Sequence, residues 1–244
     1  MTAASNATLY AAITFDGSEA HCIYKPVAGE RPLRDFPHDT LGRREVAAYL
    51  VSVASGWDLV PPTVWREGPF GPGSVQLWID TDDAQEMVDV VPLGGVAAGW
   101  LSVLNAQDGE GSDVVLVHRD DERLARMAVF DAVIDNADRK GGHVLVDRDG
   151  HLWGVDHGLS FNIEDKLRSV LWGWQGRRLP PDTHKVLVAL AAQLRPSGQL
   201  AEDLSDLLAP AEVRRTRQRV DALVRAGRFP EPDLYGPIIP WPPF

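Results

Sequence analysis

Apolar positions along the chain follow two periods. Residues 8–14 (TLYAAIT) and 20–25 (AHCIYK) are rich in β-branched and aromatic side chains, with the turn residues Asp16, Gly17 and Ser18 between them, which predicts an N-terminal hairpin. A Pro- and charge-rich loop follows. The period then lengthens: Val46, Tyr49, Leu50 and Val53 recur at helical spacing, with Asp39 or Thr40 available as a cap and Gly56 as a stop. Pro61 and Pro62 break the chain before a strand at 63–65, and the loop GPFGPG leads into the apolar run VQLWI at 75–79. Residues 90–104 (VVPLGGVAAGWLSVL) read as a helix interrupted by glycines.

Between residues 122 and 134, Leu124, Met127, Phe130, Val133 and Ile134 trace one apolar helix face that ends in the polar loop 135–142. The segment HVLVDRDGHLWGVD predicts two short strands joined through Asp149 and Gly150. KVLVALAAQL, QLAEDLSDLL and AEVRRTRQRVDALVRAG are three further helices. On the last of these, Arg214, Arg215, Arg217, Arg219 and Arg225 read as a solvated basic face. The tail FPEPDLYGPIIPWPPF is Pro-rich and extended, either packed through its aromatic residues or loose. Together these elements predict an α+β fold with a β-rich N-terminal portion over 1–78 that carries one helix, and a mainly helical portion over 79–244.

Composition narrows the possible roles. At 244 residues with 44% apolar side chains, the chain can bury a full core, and a formal net charge of -11 disfavours nucleic acid or an anionic membrane as the main partner. The single Cys22 excludes an internal disulfide and any multi-thiolate zinc site, and a reducing cytoplasm suits it. The start MTAASNATLY lacks a basic region followed by an apolar one, and no apolar run reaches 18 residues, so neither secretion nor membrane insertion is expected.

The chemistry concentrates in DNADRKGGHVLVDRDGHLWGVDHG. Asp138 precedes His143 by five residues, the offset between the catalytic Asp and metal-binding Asn in the kinase loop H-R-D-x-x-x-x-N, and Asp156 falls beyond a hairpin, where the Asp of D-F-G would stand. A helix thus delivers one carboxylate to an acceptor hydroxyl, and a hairpin brings a second to the metal on the nucleotide phosphates. Lys25, ending the second strand, supplies positive charge. Glu45 on the following helix orients it, with Glu30 competing for that role.

The stretches YKPVAGERPL, GSVQLW, NADRKGGHVL and VDHGLSF resemble type II phosphatidylinositol 4-kinases and, more closely, the small phosphatidylinositol 3- and 4-kinase-like proteins of actinobacteria, over roughly residues 10–175. The resemblance implies a two-lobed protein-kinase-like fold that binds ATP with magnesium or manganese. It assigns Lys25 to the nucleotide phosphates, Asp138 to catalysis and Asp156 to the metal. It places Gln76, Leu77 and Trp78 in the linker that contacts adenine, with Leu152 and Val155 lining the base. Two departures stand out. The family's metal-binding asparagine is His143 here, an imidazole better suited to manganese or zinc than to magnesium. The hairpin also lacks G-x-G-x-x-G, so the Asp16–Ser18 turn offers the phosphates fewer backbone donors.

The acceptor implied is a protein, the chain itself included, or a small polar molecule, because no basic amphipathic helix or lipidation-type cysteine cluster points to a membrane-bound substrate. Two other readings compete. One is a nucleotide-binding regulator that has lost transfer through His143; the other is a hydrolytic metal site made of His143, His157 and Asp156. Ala137 and Arg139 occupy positions where a calcium loop needs oxygen ligands. Asp138 and Arg139 are also candidates for a plain loop ion pair, and Trp172 and Trp174 for core anchors or substrate contacts.

Overall fold

The computed structural model describes residues 7–82 and 85–244. It mixes strands and helices, as the two hydrophobic periods require. β1 (Leu9–Phe15) and β2 (Ser18–Pro26) form the hairpin, with Phe15 opposite Ser18. Asp16 and Gly17 turn it with φ of 47° and 78°, the left-handed pair that a two-residue hairpin turn demands. β3 (Thr63–Gly68) and β4 (Gly71–Leu77) complete an antiparallel sheet of order β1-β2-β4-β3.

Helix α1 (Leu41–Ser55) packs against β3 and β4 and ends at Gly56 with φ 66°. Its start differs from expectation, because Thr40 makes no side-chain cap. Glu30 caps from the preceding loop instead, its carboxylate accepting the N–H of Leu41 at 3.1 Å and of Gly42 at 2.8 Å. The buried face is also rotated: Val46, Ala47, Ala48 and Val51 point inward while Val53 is 51% exposed.

Residues 90–104 are not helical. They contribute to β5 (Val88–Pro92) and β6 (Trp100–Gln107), which flank β7 (Asp113–Arg119) in an antiparallel sheet of order β5-β7-β6. Valine is β-branched and favours this geometry, and Pro92 would break a helix. Gly94 and Gly99 take φ of 87° and 83° to turn the connection. The chain beyond residue 78 therefore carries more strand than the sequence suggested.

Helix α2 (Glu122–Ile134) has the expected bounds, with Asp121 capping the N–H of Arg123 at 2.8 Å. Leu124, Met127, Phe130, Val133 and Ile134 are all fully buried. At roughly 1.5–3 kcal/mol per large apolar side chain removed from water, this helix is a main post of the core. β8 (Val144–Val146) and β9 (Leu152–Gly154) form the short hairpin, followed by α3 (Pro181–Gln193), α4 (Gln199–Ser205) and α5 (Pro210–Ala226). One apolar cluster runs from Ala47 and Val51 of α1 through α2 to Leu187, Leu204 and Val220, so α1 and the later helices share a core.

Buried charge reinforces that junction. Arg44, fully buried on α1, pairs with Glu212 of α5 and donates to the carbonyl of Ser160 at 2.5 Å. The arginine row on α5 is likewise not uniformly solvated. Arg219 is buried, 3.1 Å from Asp135 and 2.9 Å from Asp165, whereas Arg214 and Arg225 remain exposed. Trp172 and Trp174 are buried anchors, their indole N–H groups bonded to Ile238 O at 2.9 Å and Asp120 at 2.8 Å. No helix among the described residues is long and apolar enough to cross a membrane.

Candidate active site

The loop after α2 is shaped by its polar residues. Asp135 closes the helix in the left-handed conformation (φ 56°), which a short polar side chain tolerates. Asn136 then holds the turn, donating to Asp131 at 3.0 Å and accepting the N–H of Asp138 at 3.0 Å. The partly buried Asp138 lines the cleft beside this turn. Asp147 organises the β8–β9 turn by accepting from the N–H of Asp149, the N–H of His151 and the indole of Trp153. The hairpin thereby returns the chain to Asp156 beside the loop, and Asp156 itself sits at φ 61°. Non-glycine residues in that region concentrate at functional sites.

Arg139 locks loop and hairpin together. Its guanidinium makes a two-pronged pair with Asp131 at 2.8 and 2.9 Å, and donates to the carbonyls of His143 at 3.0 Å and Val155 at 3.1 Å. It also reaches His157 Nε2 at 2.7 Å. The loop ion pair is thus Arg139 with Asp131; Asp138 faces Lys140 instead, at 3.4 Å.

Lys25 stands opposite this unit. Its ammonium lies 2.5 Å from Glu45 Oε1 and 2.7 Å from Asp156 Oδ1. The other oxygen of Glu45 accepts the N–H of His157 at 2.9 Å, so one helix carboxylate positions both the lysine and the Asp156 segment. Glu30 is engaged in capping α1. Burial alone would lower the pKa of Lys25, but Glu45 and Asp156 outweigh it and raise it. The Lys25 charge in turn holds the Asp156 carboxyl far below the usual carboxylate range, against its desolvation, with His143 assisting. Burial pushes the Asp138 carboxyl up, the charge of Asp156 adds to this, and Lys140 opposes it.

Asp138, His143 and Asp156 each offer a ligand atom within 4.8 Å of the others. Burial, aided by Arg139 and Lys140, lowers the pKa of His143 to about 4, which keeps it neutral near pH 7. Its Nδ1 lies 3.0 Å from the carbonyl of Asp138 and must carry the proton there, which leaves the Nε2 lone pair facing Asp156 at 3.4 Å. Two carboxylates and an oriented imidazole suit a divalent cation, and the nitrogen inclines the set toward manganese.

The cleft has a volume of about 490 Å³ and is lined by Lys25, Glu45, Asp138, His143 and Asp156, among others. It does not include Gln76, Leu77, Trp78, Leu152 or Val155. Leu77 and Trp78 have already committed their N–H groups to Pro62 O and His21 O, each at 2.9 Å, so neither donor is free for a base. Gln76 binds Thr63 at 2.8 Å, and Leu152 is buried in the core. The strand register nevertheless places Gln76 opposite Ile23 and Ser74 opposite Lys25, on one face of the sheet. The Trp78 ring is 44% exposed and packs edge-on against Tyr10 with centroids 5.0 Å apart.

Sequence reasoning missed Asp131, Asn136 and Lys140 as supports of this site. Asn136 and Lys140 lie within the DNADRK run, and Asp131 interrupts the apolar helix stretch MAVFDAVI just before it. It also missed Pro242 and Phe244, which line the cleft from the far end of the chain. No single-sequence signal connects those two to a loop a hundred residues earlier.

No family model matches the chain. A curated protein of Mycobacterium tuberculosis (strain ATCC 25618 / H37Rv), Protein Rv2133c, is 48% identical over 250 residues, an alignment that spans 99% of this chain and 89% of the relative. With that identity over nearly its whole length, the chain belongs to the family of Rv2133c.

Proposed function

We propose that this protein is an ATP-dependent phosphotransferase with a two-lobed, protein-kinase-like architecture of the phosphatidylinositol-kinase-like type, binding nucleotide between the first sheet and the α2 and β8–β9 unit. The observation that carries this reading is Lys25, held at once by a helix glutamate at 2.5 Å and by Asp156 at 2.7 Å. Kinases require both contacts: the strand lysine must be fixed by a helix carboxylate, and the metal-site aspartate must stand beside it. A lysine so placed at a cleft presents positive charge to phosphate oxygens.

Each residue has a role in this reading. Lys25 neutralises phosphate charge, Glu45 fixes Lys25, and Arg139 fixes the carbonyls that flank His143 and Asp156. Asp156 and His143 would hold the divalent ion, with Asp138 beside them, and the ion when bound would supply further neutralisation of the phosphate oxygens. Asp138, with its raised pKa, orients the acceptor and takes its proton. The aromatic pair Tyr10 and Trp78 offers the base a stacking surface on the Lys25 face of the sheet. His21, stacked on Tyr10, precedes Lys25 by four residues of strand, or roughly 13 Å, a reach that suits an extended nucleoside triphosphate.

The geometry gives the hydrolase reading less support. His157 Nε2 faces the Arg139 guanidinium, which can only donate, and His157 is fully buried, so one imidazole is left for a metal. Labelled ATP with manganese tests the proposal. Asp138→Asn should lower transfer or hydrolysis by orders of magnitude while ATP affinity stays within a few-fold. A chain that binds ATP and shows no turnover to lose is a regulator, not an enzyme.

A further inference from the structure

The segment after α5 returns to the cleft and is built into it. Ile238 O accepts the N–H of Ser169 at 3.0 Å and the indole N–H of Trp172 at 2.9 Å, Ile239 packs on the core, and Pro240 is buried. Pro243 O then accepts the N–H of Gly141 at 2.8 Å. The Phe244 ring lies so close over Gly141 that a Cβ there would come within 2.4 Å of a ring carbon. Glycine at 141 and the ring of Phe244 are therefore complementary. Pro242 and Phe244 line the same 490 Å³ cleft as Lys25, Asp138 and Asp156.

We infer, on the basis of the kinase reading above, that residues 238–244 form the acceptor-side wall of the cleft, and that the acceptor is a small molecule bearing a hydroxyl or amine, not a polypeptide. Gly141 lies three residues beyond Asp138, and its N–H is the backbone donor that an extended peptide laid along this loop would use. Pro243 already holds it. The space that remains is a pocket with Asp138 and Lys140 on its polar side and Leu33, Leu159 and Phe244 on its apolar side, and it must also admit the triphosphate. Pro240, Pro242 and Pro243 stiffen the wall, since proline loses little freedom on ordering.

In the transfer step the acceptor oxygen or nitrogen bonds to the γ-phosphorus. The bond to the bridging oxygen breaks with its electron pair leaving on ADP, and the acceptor proton passes to Asp138. Phe244 excludes bulk water as a competing acceptor.

The test offers labelled ATP and manganese with water alone or with a degenerate mixture of serine and threonine peptides. It compares the intact chain, Phe244→Ala and a chain ending at Pro240. Phe244 is 51% exposed, so its loss should leave the fold intact, and a melting temperature close to the parent's is the control. The intact chain should hydrolyse ATP slowly and leave peptides unlabelled. Phe244→Ala should raise hydrolysis several-fold with KM for ATP within twofold, and the shorter chain should do the same or more. Peptide labelling by the intact chain, or equal hydrolysis in all three chains including none, overturns the inference while leaving nucleotide binding standing. Failure of ATP to shift the melting temperature of the intact chain would instead remove the kinase reading itself, and the acceptor assignment with it.

Discussion

Asp131→Asn deletes one charge from a pair in which both side chains are 0% exposed. Arg139 cannot shed its proton, so the variant leaves a guanidinium in the interior with only carbonyl oxygens, an amide oxygen and an imidazole nitrogen around it. Removing one partner of a buried pair costs about 3–5 kcal/mol, because the surviving charge stays desolvated without its counter-charge. For a chain of this length each kcal/mol moves Tm by about 2–4 °C, so a fall of about 6–20 °C is expected. Arg139 also anchors the carbonyls of His143 at 3.0 Å and Val155 at 3.1 Å, which flank the metal-ligand cluster. Nucleotide affinity should therefore weaken at temperatures where the variant is still folded. Scanning calorimetry at pH 7, paired with an ATP titration well below Tm, reads both effects. A Tm within 2 °C of the parent together with unchanged ATP affinity would refute the locking role assigned to this pair.

Three further outcomes follow from the same geometry. Glu45→Gln should leave Lys25 held by Asp156 alone and lower ATP turnover roughly 10- to 100-fold, a loss of about 1.4–2.7 kcal/mol of transition-state stabilisation; turnover within twofold of the parent would contradict its role. His143→Asn should shift the metal giving highest turnover from manganese toward magnesium, read as the ratio of rates with the two ions. Stability should fall as the pH drops from about 6.5 toward 4. Burial lowers the pKa of His118 and of His143 to about 4, so the unfolded chain binds protons that the fold excludes, costing up to about 1.4 kcal/mol per pH unit for each. Asp135, raised to about 6 by burial, works in the opposite sense over the same range, being stabilising in acid and losing that contribution as pH rises. Denaturant melts of His118→Gln should show a shallower acid slope than the parent, and identical slopes would remove His118 from the account.

What the sequence disclosed, and what it hid, divides by the range of the interactions involved. Helix α2 was legible to the residue because Leu124 to Ile134 carry their own period and Asp135 stops them locally. The β8–β9 hairpin was legible because Asp149 and Gly150 set its turn. Residues 90–104 were misread because apolar runs with glycines fit helix and strand alike, and pairing with β7 decides between them. The cap of α1 was missed because Glu30 lies eleven residues before Leu41. Gln76 and Leu77, expected in a linker, are held in β4 by the ladder to β2, and Trp78 follows directly, its N–H bonded to His21 O, which only the assembled sheet reveals. The seat of Phe244 on Gly141 joins residues about a hundred apart, and nothing local encodes it.

The account's central claim is that Lys25 and Asp156 form a nucleotide site, and a thermal-shift titration of the intact protein with ATP tests it most directly. With manganese present and ATP at a hundred times Kd, binding should add about 2.7 kcal/mol and raise Tm by roughly 5–10 °C. Lys25→Ala and Asp156→Ala should each abolish that rise. No rise with either manganese or magnesium, or a rise that survives both substitutions, would contradict the claim.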